Sequence, residues 1–165
     1  MKKILVGLVL LGLVLGTVNA QGAHRLGVGV NYWTALDSIK VDDVDDDGFS
    51  YLVTYQYRPG LLGLQLDFEF LPDRFGTDAY APAAYVVLGG FIYAAAGIGM
   101  IHQDGDWADD PFYALKAGLD LQLLPRVYLD ISASYRFDSK MDLGDAMDDI
   151  DTDTLFLGVA VRFAF

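Results

Sequence analysis

Apolar and polar residues alternate one for one over six stretches of this chain. Leu26, Val28, Val30 and Tyr32 interleave with Arg25, Gly27, Gly29 and Asn31. Phe49, Tyr51, Val53, Tyr55 and Tyr57 interleave with Ser50, Thr54, Gln56 and Arg58, and Leu62, Leu64, Leu66, Phe68 and Phe70 with Gly63, Gln65, Asp67 and Glu69. Tyr113, Leu115, Ala117, Leu119 and Leu121 alternate with Ala114, Lys116, Gly118, Asp120 and Gln122. Val127, Leu129, Ile131, Ala133, Tyr135 and Phe137 alternate with Tyr128, Asp130, Ser132, Ser134 and Arg136. Leu155, Leu157, Val159, Val161, Phe163 and Phe165 do so with Phe156, Gly158, Ala160, Arg162 and Ala164. A period of two puts successive side chains on opposite faces of a strand, so each stretch is read as a strand with one apolar face. Two more strands are expected between Ala83 and His102, where the alternation is weak and Gly89-Gly90 signals a tight turn. There the phase that places Ile92, Ala94, Ala96, Ile98 and Met100 outward leaves Tyr93, Gly97 and Gly99 inside.

The connections alternate in length. Pro59-Gly60, Gly89-Gly90 and Leu124-Pro125-Arg126 are tight, whereas Leu36–Gly48, Pro72–Pro82, Gln103–Asp110 and Asp138–Asp153 read as long loops. The strands run to about ten residues, longer than the ~5–6 of a typical soluble strand and enough for a tilted strand to cross a bilayer. Aromatics gather at both ends. Tyr32, Trp33, Phe49, Tyr51, Phe68, Phe70, Phe112, Tyr113, Tyr135 and Phe137 lie toward the loops, and Tyr55, Tyr57, Phe91, Tyr93, Phe163 and Phe165 toward the turns. Two aromatic girdles around a band of Val, Leu, Ile and Ala describe a transmembrane barrel, since a soluble barrel has no reason to sort aromatics to both rims. The expected fold is therefore all-β, an eight-stranded antiparallel up-and-down transmembrane β-barrel. Lipid offers no hydrogen bonds to an open edge, so the last strand must pair with the first.

Met1-Lys2-Lys3, the uncharged apolar run Ile4 to Gly16 and the small-residue ending Thr17-Val18-Asn19-Ala20 have the three regions of a secretory signal. Residues 1–20 are read as a signal peptide cleaved after Ala20, and residues 21–165 as the barrel domain. The chain has no cysteine, which removes disulfides, thiol catalysis and a lipidated N-terminal cysteine. Without Lys2 and Lys3, nine basic side chains stand against 23 acidic ones. That balance argues against a nucleic-acid partner.

The closing run Leu155-Phe156-Leu157-Gly158-Val159-Ala160-Val161-Arg162-Phe163-Ala164-Phe165 resembles the terminal strand of the small outer-membrane β-barrel family. The transmembrane domain of outer-membrane protein A and outer-membrane protein X are members of that family. The resemblance is architectural and covers the chain from Gln21 onward. It implies a place in the outer membrane of a diderm bacterium, with loops facing the exterior and contacts to lipid and lipopolysaccharide. It also implies that the outward residues Val159, Val161, Phe163 and Phe165 are read by the barrel-assembly machinery. A monomer is expected. Members include anchors, adhesion and resistance factors and a few lipid-modifying enzymes, so the resemblance speaks for fold and compartment more than for activity.

Charge on the inward faces is nearly balanced. Arg25, Arg58, Lys116, Arg136 and Arg162 face Asp67, Glu69, Asp120 and Asp130. Eight strands leave an interior filled by side chains, and buried charges persist there only when paired. A turn centred on Pro125 sets Asp120 opposite Asp130, which requires a cation between them. Arg162 on the neighbouring strand is the candidate.

The net negative charge lies in the loops. Asp43-x-Asp45-x-Asp47-Gly48 matches the first half of an EF-hand loop, but Thr54 stands where the twelfth-position Glu belongs and no helices flank it. An EF-hand is excluded, and loose divalent-cation binding at Asp43, Asp45 and Asp47 stays open; no other cofactor is expected. His24 belongs at the turn end, and His102 lies near the loops without a suitably spaced Ser, so no enzyme is expected. The expected role is a structural or surface-interaction barrel with acidic extracellular loops. The alternatives are a narrow channel for ions or small solutes and a soluble periplasmic lipocalin-like barrel holding an apolar ligand.

Overall fold

Each alternating run becomes a strand. The computed structural model describes residues 23–35, 47–74, 77–103, 105–108, 110–137 and 154–165. Its barrel strands are β1 (His24–Ala35), β2 (Asp47–Tyr57), β3 (Leu62–Arg74), β4 (Thr77–Gly89) and β5 (Ile92–Gly99), followed by β6 (Phe112–Leu124), β7 (Val127–Phe137) and β8 (Thr154–Ala164). Neighbours in sequence pair antiparallel throughout, and β1 pairs with β8 from Arg25–Ala164 to Ala35–Thr154. That last pairing closes the sheet into an eight-stranded barrel and leaves no edge along its wall. Residues 1–20, read from the sequence as a signal peptide, lie outside the described residues, as do most of the loop expected at Leu36–Gly48 and all of that expected at Asp138–Asp153.

Main-chain hydrogen bonds lace the turn end. Arg58 N donates to Ala23 O at 2.8 Å, Gly89 N to Leu61 O at 2.8 Å, Asp120 N to Phe91 O at 2.8 Å and Phe165 N to His24 O at 2.9 Å. Pro125 and Arg126 make the β6–β7 turn, with Arg126 at φ 70°. Proline followed by a residue at positive φ is the dihedral order of a type II turn. Leu124 pairs with Val127 across this turn, and a one-residue register shift between Gln122 and Leu124 then sets Asp120 against Asp130.

The loop expected over Pro72–Pro82 is instead mostly strand. β3 runs on to Arg74 and β4 starts at Thr77, with Phe70 opposite Tyr80 and Leu71 opposite Ala79. Neither proline ends the strand it lies in. Pro72 lies beyond the Tyr51–Phe70 pair, where β2 no longer runs alongside and no ladder donor is needed. Pro82 lacks its N–H, yet its carbonyl accepts from Met100 N at 3.1 Å. The ladder between β4 and the chain after β5 therefore resumes in unchanged register at Tyr80–His102. The expected loop Gln103–Asp110 likewise contains a short ribbon, His102–Gln103 against Asp106–Trp107.

Among the described residues, the outward wall from β1 to β8 carries no charged side chain between the rims. Val28, Val53, Leu66, Val86, Leu115, Ile131 and Val159 are all exposed on it. The phase expected for β5 holds, with Ile92 and Ile98 exposed and Tyr93 and Gly99 buried. The aromatic girdles need one correction: Trp33, Tyr93 and Phe112 point into the lumen and are buried. Trp33 shares the parity of Asn31, Phe112 that of Ala114, and Tyr93 that of Ala95; parity decides the face whatever the height of a residue in the barrel.

Candidate functional site

The lumen is the part of this barrel with chemistry in it, and its residues stack in layers from the turn end upward. In the lowest layer Asp120 and Asp130 are register partners on β6 and β7. Arg25 donates to Asp120, and Arg58 Nη1 reaches the same Oδ2 at 2.8 Å. Arg162 Nη1 donates to Asp130 Oδ2 at 2.9 Å and lies 3.9 Å from Asp120 Oδ1. Arg162 thus hydrogen-bonds one carboxylate and approaches the other, whose direct partners are Arg25 and Arg58. Tyr93 adds its hydroxyl to Asp130 at 2.7 Å. Two like charges in apposition are tolerable because three guanidiniums surround them.

Each of these cations also has a second fastening. The Arg58 guanidinium caps the β4–β5 turn through Gly89 O at 2.6 Å and Gly90 O. Arg25 lies over the Tyr128 ring at 3.8 Å. Arg162 Nη2 reaches Gln65 Oε1 at 3.3 Å, and that oxygen also accepts from Gln56 Nε2 at 3.0 Å.

Gln65 links the lowest layer to the next. Its amide donates to Asp67 at 2.9 and 3.0 Å, and Lys116 Nζ pairs with Asp67 at 2.6 Å while lying 4.5 Å from the Tyr85 ring centre. Higher still, Glu69 accepts from Asn31, Ser50 and Arg136. The Arg136 guanidinium lies 3.8 Å from the Phe156 ring centre and 4.8 Å from that of Phe112. Between the Lys116 and Arg136 layers is a water-sized cavity of about 10 Å3, bordered by Asp67, Glu69, Ser132 and Ser134.

All nine charged residues expected in the lumen lie there, in three connected clusters. Tyr93, Gln56, Gln65, Asn31 and Ser50 complete the network and were not singled out from the sequence. Inward parity on their strands was the available signal for all five, Tyr93 included, whose inward phase the sequence had already given. The Tyr93–Asp130 bond spans β5 to β7 and needs the barrel's curvature to be seen. Of the acidic set Asp43, Asp45 and Asp47, only Asp47 lies among the described residues, where Tyr32 OH donates to it at 2.7 Å. His24 Nδ1 lies 2.7 Å from the Tyr55 hydroxyl at the turn rim, and His102 is 4.8 Å from Trp107 across the ribbon. The four residues of the proposed assembly signal, Val159, Val161, Phe163 and Phe165, are exposed along β8.

Neisserial surface protein A matches this structure with a TM-score of 0.66 at 15% identity, over 87% of this chain and 97% of that one. The N-terminal β-barrel domain of Pseudomonas aeruginosa OprF gives 0.54 at 12% identity, over 89% of this chain and 100% of that one. A de novo designed transmembrane β-barrel gives 0.53 at 12% identity, over 89% and 98%. The fold is that of the small eight-stranded outer-membrane β-barrels. Neither protein-family models nor curated proteins match the sequence.

Proposed function

We propose that this chain is an outer-membrane barrel with a side-chain-filled interior, serving as a structural or surface-interaction protein through its acidic loops. One observation carries the reading: the barrel's polarity is inverted. Its charges are buried in the lumen, and its exposed wall is uncharged hydrocarbon and aromatic ring. Exposed apolar surface on this scale needs lipid around it. A soluble barrel holding an apolar ligand would need the opposite arrangement, a polar wall around an apolar cavity. No enzymatic activity belongs to this reading. In this reading the acidic loops face the exterior, and Asp43, Asp45 and Asp47 hold divalent cations only loosely.

The test is heat modifiability in carbonate-washed membranes. The protein is expected to stay with the membranes and to change mobility in SDS gels on boiling. Release in the wash, with no mobility change, would overturn the reading. The polar ladder from Arg25 to Glu69 supports a second reading, a narrow conducting path. Steady single-channel conductance of the wild-type protein in planar bilayers would favour it.

A further inference from the structure

At and above the level of the Glu69–Arg136 pair the lumen changes character, beginning with Phe156, whose register partner is Ser134 and which borders the water-sized cavity. Trp33, Leu71, Ile101, Phe112 and Phe156 gather at its loop end, each no more than 5% exposed. They come from β1, β3, the segment after β5, β6 and β8, and form the loop end of a buried apolar cluster that continues along β4 and β5 through Ala81, Tyr85, Val87 and Tyr93. Two of the rings are seated on glycine. Trp33 is the register partner of Gly48 and Phe112 of Gly99, and a Cβ added at either glycine would meet the ring. Below this layer the polar network continues down to the turn end, where the Arg25 side chain keeps 11% exposure and Tyr128 is half-buried.

We propose that this apolar layer is a dry seal carried by the barrel strands, and that the seal, not the ion-pair ladder beneath it, makes the lumen impermeable to water and ions. The inference rests on the membrane-barrel reading above. Water entering a narrow apolar constriction loses hydrogen bonds and finds no polar partner, so such a constriction empties and blocks ions. The ladder beneath is different. It holds donors and acceptors along its whole height beside the apolar β4 and β5 residues, has room for about one water between its upper layers, and meets solvent at its lower end. Charged walls admit water that hydrocarbon walls exclude. The barrier is therefore assigned to the five apolar side chains.

The chain has two tryptophans, so Trp107→Phe leaves Trp33 as the sole indole reporter, and Trp107 is exposed. In this variant, folded into phosphatidylcholine vesicles, Trp33 emission is expected at short wavelength. Iodide should quench it several-fold less than it quenches Trp107 in the Trp33→Phe variant. Emission at the wavelength of a hydrated indole, with free quenching, overturns the proposal.

Conductance gives the second readout. Leu71→Ala and Phe156→Ala are each expected to add steady conductance above the wild-type level in planar bilayers. The paired variant Asp67→Asn with Lys116→Met should stay at that level, and the reverse pattern overturns the proposal. Only variants that keep the heat-dependent gel shift are scored, and if neither alanine variant keeps it the Trp33 fluorescence decides. Loss of the shift in the wild type itself would count against the membrane-barrel reading instead.

Discussion

Asp120 stands directly across the β6–β7 pair from Asp130, inside the barrel, with Arg25 and Arg58 on one carboxylate and Arg162 on the other. Taking one cation away leaves a buried charge without its ionic partner. Arg162→Leu is therefore expected to lower the unfolding free energy by about 3–5 kcal/mol, read by urea titration of the barrel in lipid vesicles. Adding Asp130→Asn should recover part of that loss. A double variant no more stable than Arg162→Leu would mean that the two side chains are not energetically coupled.

Gly97 is the register partner of Tyr85, and the tyrosine ring occupies the space a Cβ on Gly97 would need. Gly97→Val should destabilise the barrel by about 1–3 kcal/mol or more, because a packed interior has little room for added carbon. Combining it with Tyr85→Ala frees the space and should restore part of the stability. The comparison is made by the fraction showing the unboiled gel mobility after refolding.

The wall makes a depth-dependent prediction. Val53 sits midway along β2 on the outward face, and Tyr57 ends that strand at the turn rim. Val53→Arg should cost about 2–4 kcal/mol in a bilayer, and Tyr57→Arg about 0–1 kcal/mol. Equal costs at the two heights, measured by denaturant titration in vesicles, would argue that the wall does not face hydrocarbon.

Phe163 and Phe165 lie outward at the end of β8, where that strand closes on β1. If they form part of a signal read during assembly, Phe165→Ser should reduce the membrane-inserted amount in cells while leaving refolding into detergent micelles nearly unchanged. Equal losses in both settings would reduce their role to packing at the rim.

Much of this barrel could be read along the chain, because period-two alternation is a local property and the faces are set by parity alone. The eight strands, their tight turns, the phase of β5 and the membership of Arg25, Arg58, Asp67, Glu69, Lys116, Asp120, Asp130, Arg136 and Arg162 in the lumen all follow from counting residues. The apposition of Asp120 and Asp130 follows from a turn centred on Pro125, but the structure reaches it differently, with a two-residue turn at Pro125-Arg126 and a one-residue register shift between Gln122 and Leu124 that no sequence signal marked. The extension of β3 and β4 through Pro72 and Pro82 did not follow. Whether a proline breaks a strand depends on whether a neighbour needs its N–H, and the neighbour is distant in sequence.

Partner choice inside the lumen was decided by the tertiary structure. Arg162 reached Asp130 more closely than Asp120, and Asp120 took Arg25 and Arg58, because curvature brings β1, β2 and β6 together across the barrel axis. The same is true of the apolar layer at the loop end. Trp33, Leu71, Ile101, Phe112 and Phe156 have no common spacing in the chain. Alternation determines which face a side chain takes, and closure of the sheet determines what it meets there.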